Sequence, residues 1–188
     1  MKVLIGCEFS GIIREAFLAK GHDAYSCDFL DSEIPSPRHY KGDLSDLLTS
    51  SWDLLIAHPP CTYLCVSGNR WMTNNIDRQE KREEALQFVM LIMTAPIKRI
   101  CIENPVGVIS SRICKPNQII QPYEFGHAET KATCLWLKNL PKLKPTDIVT
   151  PTENRIHKMP PSVNRWKERS RTYTGVAKAL AEQYNYYY

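Results

Sequence analysis

The sequence predicts an α/β fold, a mostly parallel sheet with flanking helices, on three observations. Short apolar runs alternate with segments of helical period through the first 110 residues. A glycine-containing turn follows the first run, as at the opening of a β-turn-α unit. Polar residues then close one strand or turn after another: Cys7/Glu8, Asp28, Asp43, Cys61 and Glu103. Alternating strands and helices imply right-handed crossovers. In an open parallel sheet the carboxyl ends share one edge, where ligands bind, so one site can draw on all of these residues.

Each element has its own warrant. Val3 to Ile5 is a buried strand, Gly6 to Gly11 a turn, and Ile12 to Lys20 a helix stopped by Gly21. His22 to Asp28 is a second strand, and Gly42-Asp43 opens a short polar turn-helix. Trp52 to Ala57 is the next strand, terminated by the stretch HPPCTYLCVSG (58–68). Residues 62–77 show no period and read as a long loop, a length that usually has a purpose. A charged start at Asp77 to Glu84 leads to Ala85, Phe88, Val89, Ile92 and Met93 at the spacing of a core-facing helix. Arg99 to Ile102 is a strand with Glu103-Asn104-Pro105 at its end; Thr133 to Leu137 is a later strand. Residues 141–161 form a proline-punctuated connection, and Gly175 to Tyr184 forms a terminal helix ahead of a tyrosine tail.

Composition narrows the class. With 188 residues, 43% hydrophobic and 23% charged, the chain reads as one domain with a real core. The apolar N-terminus is broken by Gly6, Cys7 and Glu8, too short for a signal-peptide core or a membrane span. Seven dispersed cysteines argue for reduced thiols rather than a disulfide framework. Cys61 and Cys65 lack a second close pair or a His-x3-His partner, so no metal site is expected, and Cys65 reads as a loop residue. The net charge is +4. Arg155, Lys158, Arg165, Lys167, Arg169 and Arg171 nevertheless form a stripe with Trp166 and Tyr173 nearby. Such a stripe suits a phosphate-bearing partner; an ordinary solvated basic face explains it equally well.

The chemistry rests on two short motifs. A cysteine attacks as its thiolate and must be held at one distance and angle from the electrophile. Pro59 and Pro60 fix φ directly before Cys61, which suits a nucleophile; Pro-Pro also simply ends a strand beside a small buried thiol. Glu103, at the end of another strand, can meet Cys61 over one substrate, with a carboxyl raised by burial serving as proton donor or hydrogen-bond clamp.

In motif and order the chain resembles the carbon-5 cytosine methyltransferases. Phe9-Ser10-Gly11, Asp28, Gly42-Asp43, Pro59-Pro60-Cys61 and Glu103-Asn104-Pro105 follow that family's sequence of signatures over residues 1–110. It is more closely similar to short phage-encoded proteins of that kind, which carry segments like FGHAETKATCLWL (125–137) and RWKERSRTYTGVAKALAEQ (165–183). The resemblance implies a Rossmann-like S-adenosylmethionine-dependent methyltransferase fold, one domain over 1–188. Residues 1–110 would be its cofactor and catalytic half; 111–188 would add the remaining strands, the basic segment and the C-terminal helix.

Carried over by resemblance, Phe9, Ser10, Gly11, Asp28, Asp43, Pro59 and Gly175 would hold S-adenosylmethionine. Phe9 would face the adenine, Asp28 the ribose hydroxyls and Asp43 the adenine edge. Cys61 would add to carbon 6 of cytosine while Glu103 contacts ring nitrogen 3. Asn104, Pro105, Tyr63, Arg70, Lys131, Arg165, Arg169 and Arg171 would contact the substrate, with Arg112 and His127 further candidates for the family's paired arginines. The implied partner is DNA or a cytosine nucleotide, in the cytoplasm, of a bacterial host if phage-encoded, with no membrane. The chain departs from the pattern at Cys7, where the family has an acid, and at Ile12-Ile13, where it has glycine. Only about forty residues separate Arg112 from Arg155, too few for the family's large recognition domain. A free nucleotide substrate, another one-carbon donor, a catalytically silent binder and a Cys-His hydrolase are the competing readings.

Overall fold

The computed structural model describes residues 1–185; Tyr186 to Tyr188 of the tyrosine tail lie outside the described residues. Seven strands form one sheet: β1 (Lys2–Gly6), β2 (Asp23–Asp28), β3 (His39–Lys41), β4 (Leu54–Ala57), β5 (Arg99–Pro105), β6 (Gln118–Ile120) and β7 (Thr133–Lys138). Their order across the sheet is β3-β2-β1-β4-β5-β7-β6. The pairs β1/β2, β1/β4, β2/β3 and β4/β5 are parallel. Strand β7 runs antiparallel to both of its neighbours. The order turns back between β1 and β4, and such a switch point opens a crevice at the carboxyl ends of those two strands.

The helices follow from the pattern of buried positions. Helix α1 (Ile12–Ala19) buries Ile13, Arg14 and Phe17. Helix α2 (Ile76–Thr94) buries Leu86, Val89 and Ile92 and starts at Asn75, whose side chain accepts from the Arg78 N–H. Short helices α3 (Ile109–Arg112), α4 (Arg155–Lys158) and α5 (Arg165–Ser170) precede α6 (Thr174–Gln183). One face of the sheet packs Val3, Ile5, Leu54 and Ile56 against Phe17 of α1 and Val176 and Leu180 of α6. The other packs Leu4, Leu55 and Ile100 against Leu86, Val89 and Ile92 of α2, with Trp136. Both faces being covered explains why β1 and β4 are apolar at successive positions rather than alternating. Each fully buried Leu or Ile contributes about 1.5–3 kcal/mol.

Two points differ from the sequence reading, and a third gives the expected turn-helix its form. Strands β3 and β6 carry only three residues each, too short for a periodic signal. The loop over 62–77 contains a 3-10 turn at Val66–Trp71 and ends in the first residues of α2. The turn-helix after Gly42-Asp43 is a 3-10 turn at Leu44–Leu47, with the Asp43 carboxylate accepting from the Ser45 N–H at 2.9 Å.

Candidate active site

The crevice is built from the turns that leave β1 and β4. After β1 the chain passes Cys7, whose φ of 57° turns it sharply, and Glu8, which is 4% exposed. Glu8 accepts from the Ile13 N–H at 2.7 Å and the Ser10 hydroxyl at 3.2 Å, so its carboxylate satisfies free N–H groups at the start of α1. Burial pushes its carboxyl above the ordinary range against those bonds. Gly11 sits at the N-cap of α1 with φ 75°. Arg14, fully buried, donates to the Ser26 hydroxyl at 2.7 Å and the Ile34 carbonyl at 2.7 Å, tying α1 to β2 and the loop after it.

Beyond these turns lies a cavity of about 250 Å³. Asp28, Asp43, Pro59 and Tyr63 line it. So do Phe29, Leu44 and Phe88, which the sequence did not single out. Burial raises the Asp28 carboxyl, while the Leu30 N–H donates to it at 3.0 Å. Phe29 is 70% exposed although it is a large apolar ring, so one face stands open at the cavity mouth. The Asp28 carboxylate can accept from hydroxyl groups, and the open Phe29 ring beside it, over apolar walls, offers a flat face for stacking. Phe29 follows the strand-ending Asp28 directly, the one signal that would have found it.

Phe9, Ser10 and Gly11 do not line this cavity. Phe9 is buried, its ring centroid 5.9 Å from that of Trp166 in α5. Gly175 is also elsewhere: its N–H donates to His127 Nε2 at 3.0 Å, and a Cβ there would fall 1.8 Å from the Phe125 carbonyl oxygen. Only a glycine allows that approach.

Cys61 and Glu103 come from neighbouring strands. β4 ends at Ala57, paired with Ile102, while β5 runs on to Pro105, so Glu103 and Asn104 stand beside the chain that leaves β4. The Asn104 amide donates to the Pro59 carbonyl at 2.6 Å, locking the Pro-Pro-Cys segment to β5. The Cys65 N–H donates to the Cys61 carbonyl at 3.0 Å, closing a turn that puts the two thiols in hydrogen-bond contact. That bond, with burial, raises Cys61, while the same bond and the Ser67 hydroxyl lower Cys65. The two share one proton in the resting site. Cys65, expected as a loop bystander, is thus part of the thiol environment.

Glu103 accepts from His58 Nδ1, 2.9 Å from Oε2. Burial pushes its carboxyl up, but the His58 hydrogen bond and charge, with Lys131, outweigh burial and hold it below the ordinary carboxylate value. Glu103, His58, Lys131, Arg171 and Tyr173 line a second, smaller cavity of about 30 Å³. Lys131 donates to the Arg169 carbonyl at 3.0 Å and lies 5.8 Å over the Tyr173 ring. Arg171 is held by Glu33 at 2.6 and 2.9 Å and by Glu168.

The other expected substrate residues are dispersed. Arg70 lies 4.7 Å over the Trp71 ring, Arg165 sits at the start of α5, and Pro105 ends β5 opposite Thr133. Arg112 pairs with Glu83 at 2.8 Å. Among the described residues no group of three or more His, Cys, Asp or Glu side chains is arranged to hold a metal, and no helix is long and apolar enough to cross a membrane.

The strand order and the crevice between the two turns define a Rossmann-like fold, a mostly parallel seven-stranded sheet with flanking helices. A prophage-encoded protein of E. coli, assigned as a DNA modification methyltransferase, shares it at 14% identity with a TM-score of 0.51, over 80% of this chain and 52% of that one. A DNMT2 mutant of Spodoptera frugiperda is 15% identical with a TM-score of 0.45, over 81% of this chain and 56% of that one. The chain spans about half the length of either protein. No protein-family model and no curated protein matches it in sequence.

Proposed function

We propose that the protein transfers a methyl group from S-adenosylmethionine to carbon 5 of cytosine, in DNA, through a covalent Cys61 adduct. The observation that carries this reading is the Asn104–Pro59 hydrogen bond, which fixes the Cys61 turn to β5, the strand that carries Glu103. Nucleophile and carboxyl group then meet one substrate from adjacent strands.

The large cavity suits the cofactor's nucleoside end, with Asp28 for the ribose, Phe29 for the adenine, and Asp43, Leu44 and Phe88 around it. When bound, the cofactor supplies an electrophilic methyl group. The chain's own residues do the rest. Cys61 passes its proton to the Cys65 sulfur as its own sulfur adds to carbon 6; Glu103 holds ring nitrogen 3 as it takes a proton; carbon 5 gains electron density and, once methylated, loses its proton to water as Cys61 departs. A base within a duplex must be flipped out to reach these groups. Tyr63, Arg70 and Trp71 lie on the loop that leaves the Cys61 turn, with Trp71 exposed, and Arg165 and Arg169 offer phosphate contacts.

A second reading, a free cytosine nucleotide as substrate, draws on the chain between Arg112 and Arg155, where only β6, β7, a 3-10 turn and irregular connections occur. One experiment separates these. Purified protein with labelled S-adenosylmethionine and either DNA or deoxycytidine monophosphate should label one of them, and Cys61→Ala should abolish it. A 5-fluorocytosine oligonucleotide should trap the Cys61 adduct. Cofactor binding without label in either substrate overturns the methyltransferase reading.

A further inference from the structure

His58 leaves the end of β4 one residue before the two prolines, and its imidazole is turned toward β5. Nδ1 lies 2.9 Å from Glu103 Oε2, and the side chain keeps 11% exposure against 22% for Glu103. Facing a carboxylate, Nδ1 carries a proton and donates it, in the neutral ring and in the imidazolium alike. The other ring nitrogen, Nε2, is buried without a hydrogen-bond partner among the described residues. Native interiors seldom leave such an atom unpaired, and one beside a reactive carboxyl calls for a role.

The surroundings define that role. Glu8, from the turn after β1, interacts electrostatically with His58. Glu103 faces it from β5, and Lys131, Arg171 and Tyr173 share its cavity from the segments before β7 and α6. Two carboxylates and two cations thus surround one imidazole. A Glu103 that rests ionised has no proton of its own for a base.

We propose that His58 is a positioning and proton-relay residue, holding Glu103 through Nδ1–H and passing it the proton that ring nitrogen 3 takes up. The proposal rests on the cytosine reading above. As the Cys61 sulfur pair forms the bond to carbon 6, the carbon 5–carbon 6 pair moves to carbon 4–carbon 5. The carbon 4–nitrogen 3 pair moves to nitrogen 3, which takes a proton from the Glu103 carboxyl. Glu103 takes one from Nδ1, and imidazolium becomes imidazole. The carbon 4–carbon 5 pair then forms the bond to the methyl group, and the nitrogen 3 pair returns to carbon 4–nitrogen 3. The carbon 5 proton leaves to water, and its pair restores carbon 5–carbon 6 as Cys61 departs with its own pair. The nitrogen 3 proton retraces its path through Glu103, with nothing oxidised or reduced.

His58→Asn tests this, because the Asn amide can donate to Glu103 from near the Nδ1 position but cannot relay a proton. Methyl transfer is measured against pH for wild type, His58→Asn and Cys61→Ala. The expected result is a kcat lower by about 100-fold or more, the lower end of general acid–base effects, with KM little changed and the pH dependence of kcat altered from that of the wild type. The Glu103 carboxyl carbon resonance, assigned by its loss in Glu103→Gln, should titrate at higher pH in His58→Asn than in wild type. Wild-type kcat and pH profile in His58→Asn, while Cys61→Ala is inactive, overturns the relay alone. An unchanged Glu103 titration overturns the coupling, and a wild type silent on both cytosine substrates overturns the relay together with the reading it rests on.

Discussion

Cys61 and Cys65 show how a single turn changes the chemistry of a thiol. The i to i+4 backbone bond brings the second sulfur to the first, and together they retain one proton where two isolated cysteines would hold two. Charge is thereby available at the pair below the ordinary thiol pKa, about 8.5. Iodoacetamide alkylation of the pair, read by peptide mass spectrometry, should persist in mildly acidic buffer in the wild type. In Cys65→Ser the acidic limb should vanish, since Cys61 alone is raised by burial. A wild type that alkylates only in the ordinary thiol range would refute the shared proton. The Pro-Pro-Cys and Glu-Asn-Pro segments were legible in the sequence because each is a contiguous local signal. His58 and Cys65 were not, because their importance lies in where their side chains turn: a histidine 45 residues from its carboxylate leaves no mark on local spacing.

At the scale of elements, two buried arrangements hold the crevice open. Glu8 satisfies the start of α1, but burial raises its carboxyl. A group raised in the folded state contributes stability that is complete below its unfolded pKa, about 4.3 for glutamate, and is lost as pH rises through the raised value. Urea midpoints of the wild type should therefore carry a falling component from pH 4 upward that Glu8→Gln lacks, the amide oxygen still accepting from Ile13. Gly107 supplies the second arrangement. A Cβ there would lie 2.0 Å from the Leu64 carbonyl oxygen, at the point where the Val108 N–H donates to that same oxygen at 2.8 Å. Gly107→Ala should cost about 1–3 kcal/mol through forced displacement and should also depress the proposed methyl transfer, because the backbone that moves carries the Cys61 turn. Stability loss with full activity would show the two to be independent. The long elements β1, α1, β4, α2, β5 and α6 were legible from apolar period within a few residues of their ends. The edges β3 and β6 were not, since three-residue strands are defined by pairing with β2 and β7 rather than by any pattern of their own. Nor was the antiparallel course of β7, which depends on the connection before it.

For the molecule as a whole, the first and last described helices are joined on one face of the sheet. Helix α6 packs beside α1 on one face, Lys20 pairs with Glu182 at 3.0 Å, and the basic segment folds back so that Trp166 meets Phe9 and Arg171 meets Glu33. That folding back alters what the sequence stripe of six cations can offer a polyanion. Arg155 is matched by Glu129 at 3.1 Å and Arg171 by Glu33 and Glu168, whereas Lys158, Arg165, Lys167 and Arg169 have no carboxylate partner among the described pairs. Charges already matched within the fold displace few ions from a nucleic acid. Each free cation that contacts phosphate should contribute about −0.9 to the slope of log affinity against log salt on a duplex and about −0.7 on a single strand. In fluorescence titrations at several salt concentrations, Arg169→Ala should flatten that slope by about one such increment, while Arg155→Ala should leave it in place. If the proposed substrate is a nucleic acid, the fold thus sets how many of its own charges a phosphate backbone meets, and so how steeply the grip loosens as salt rises.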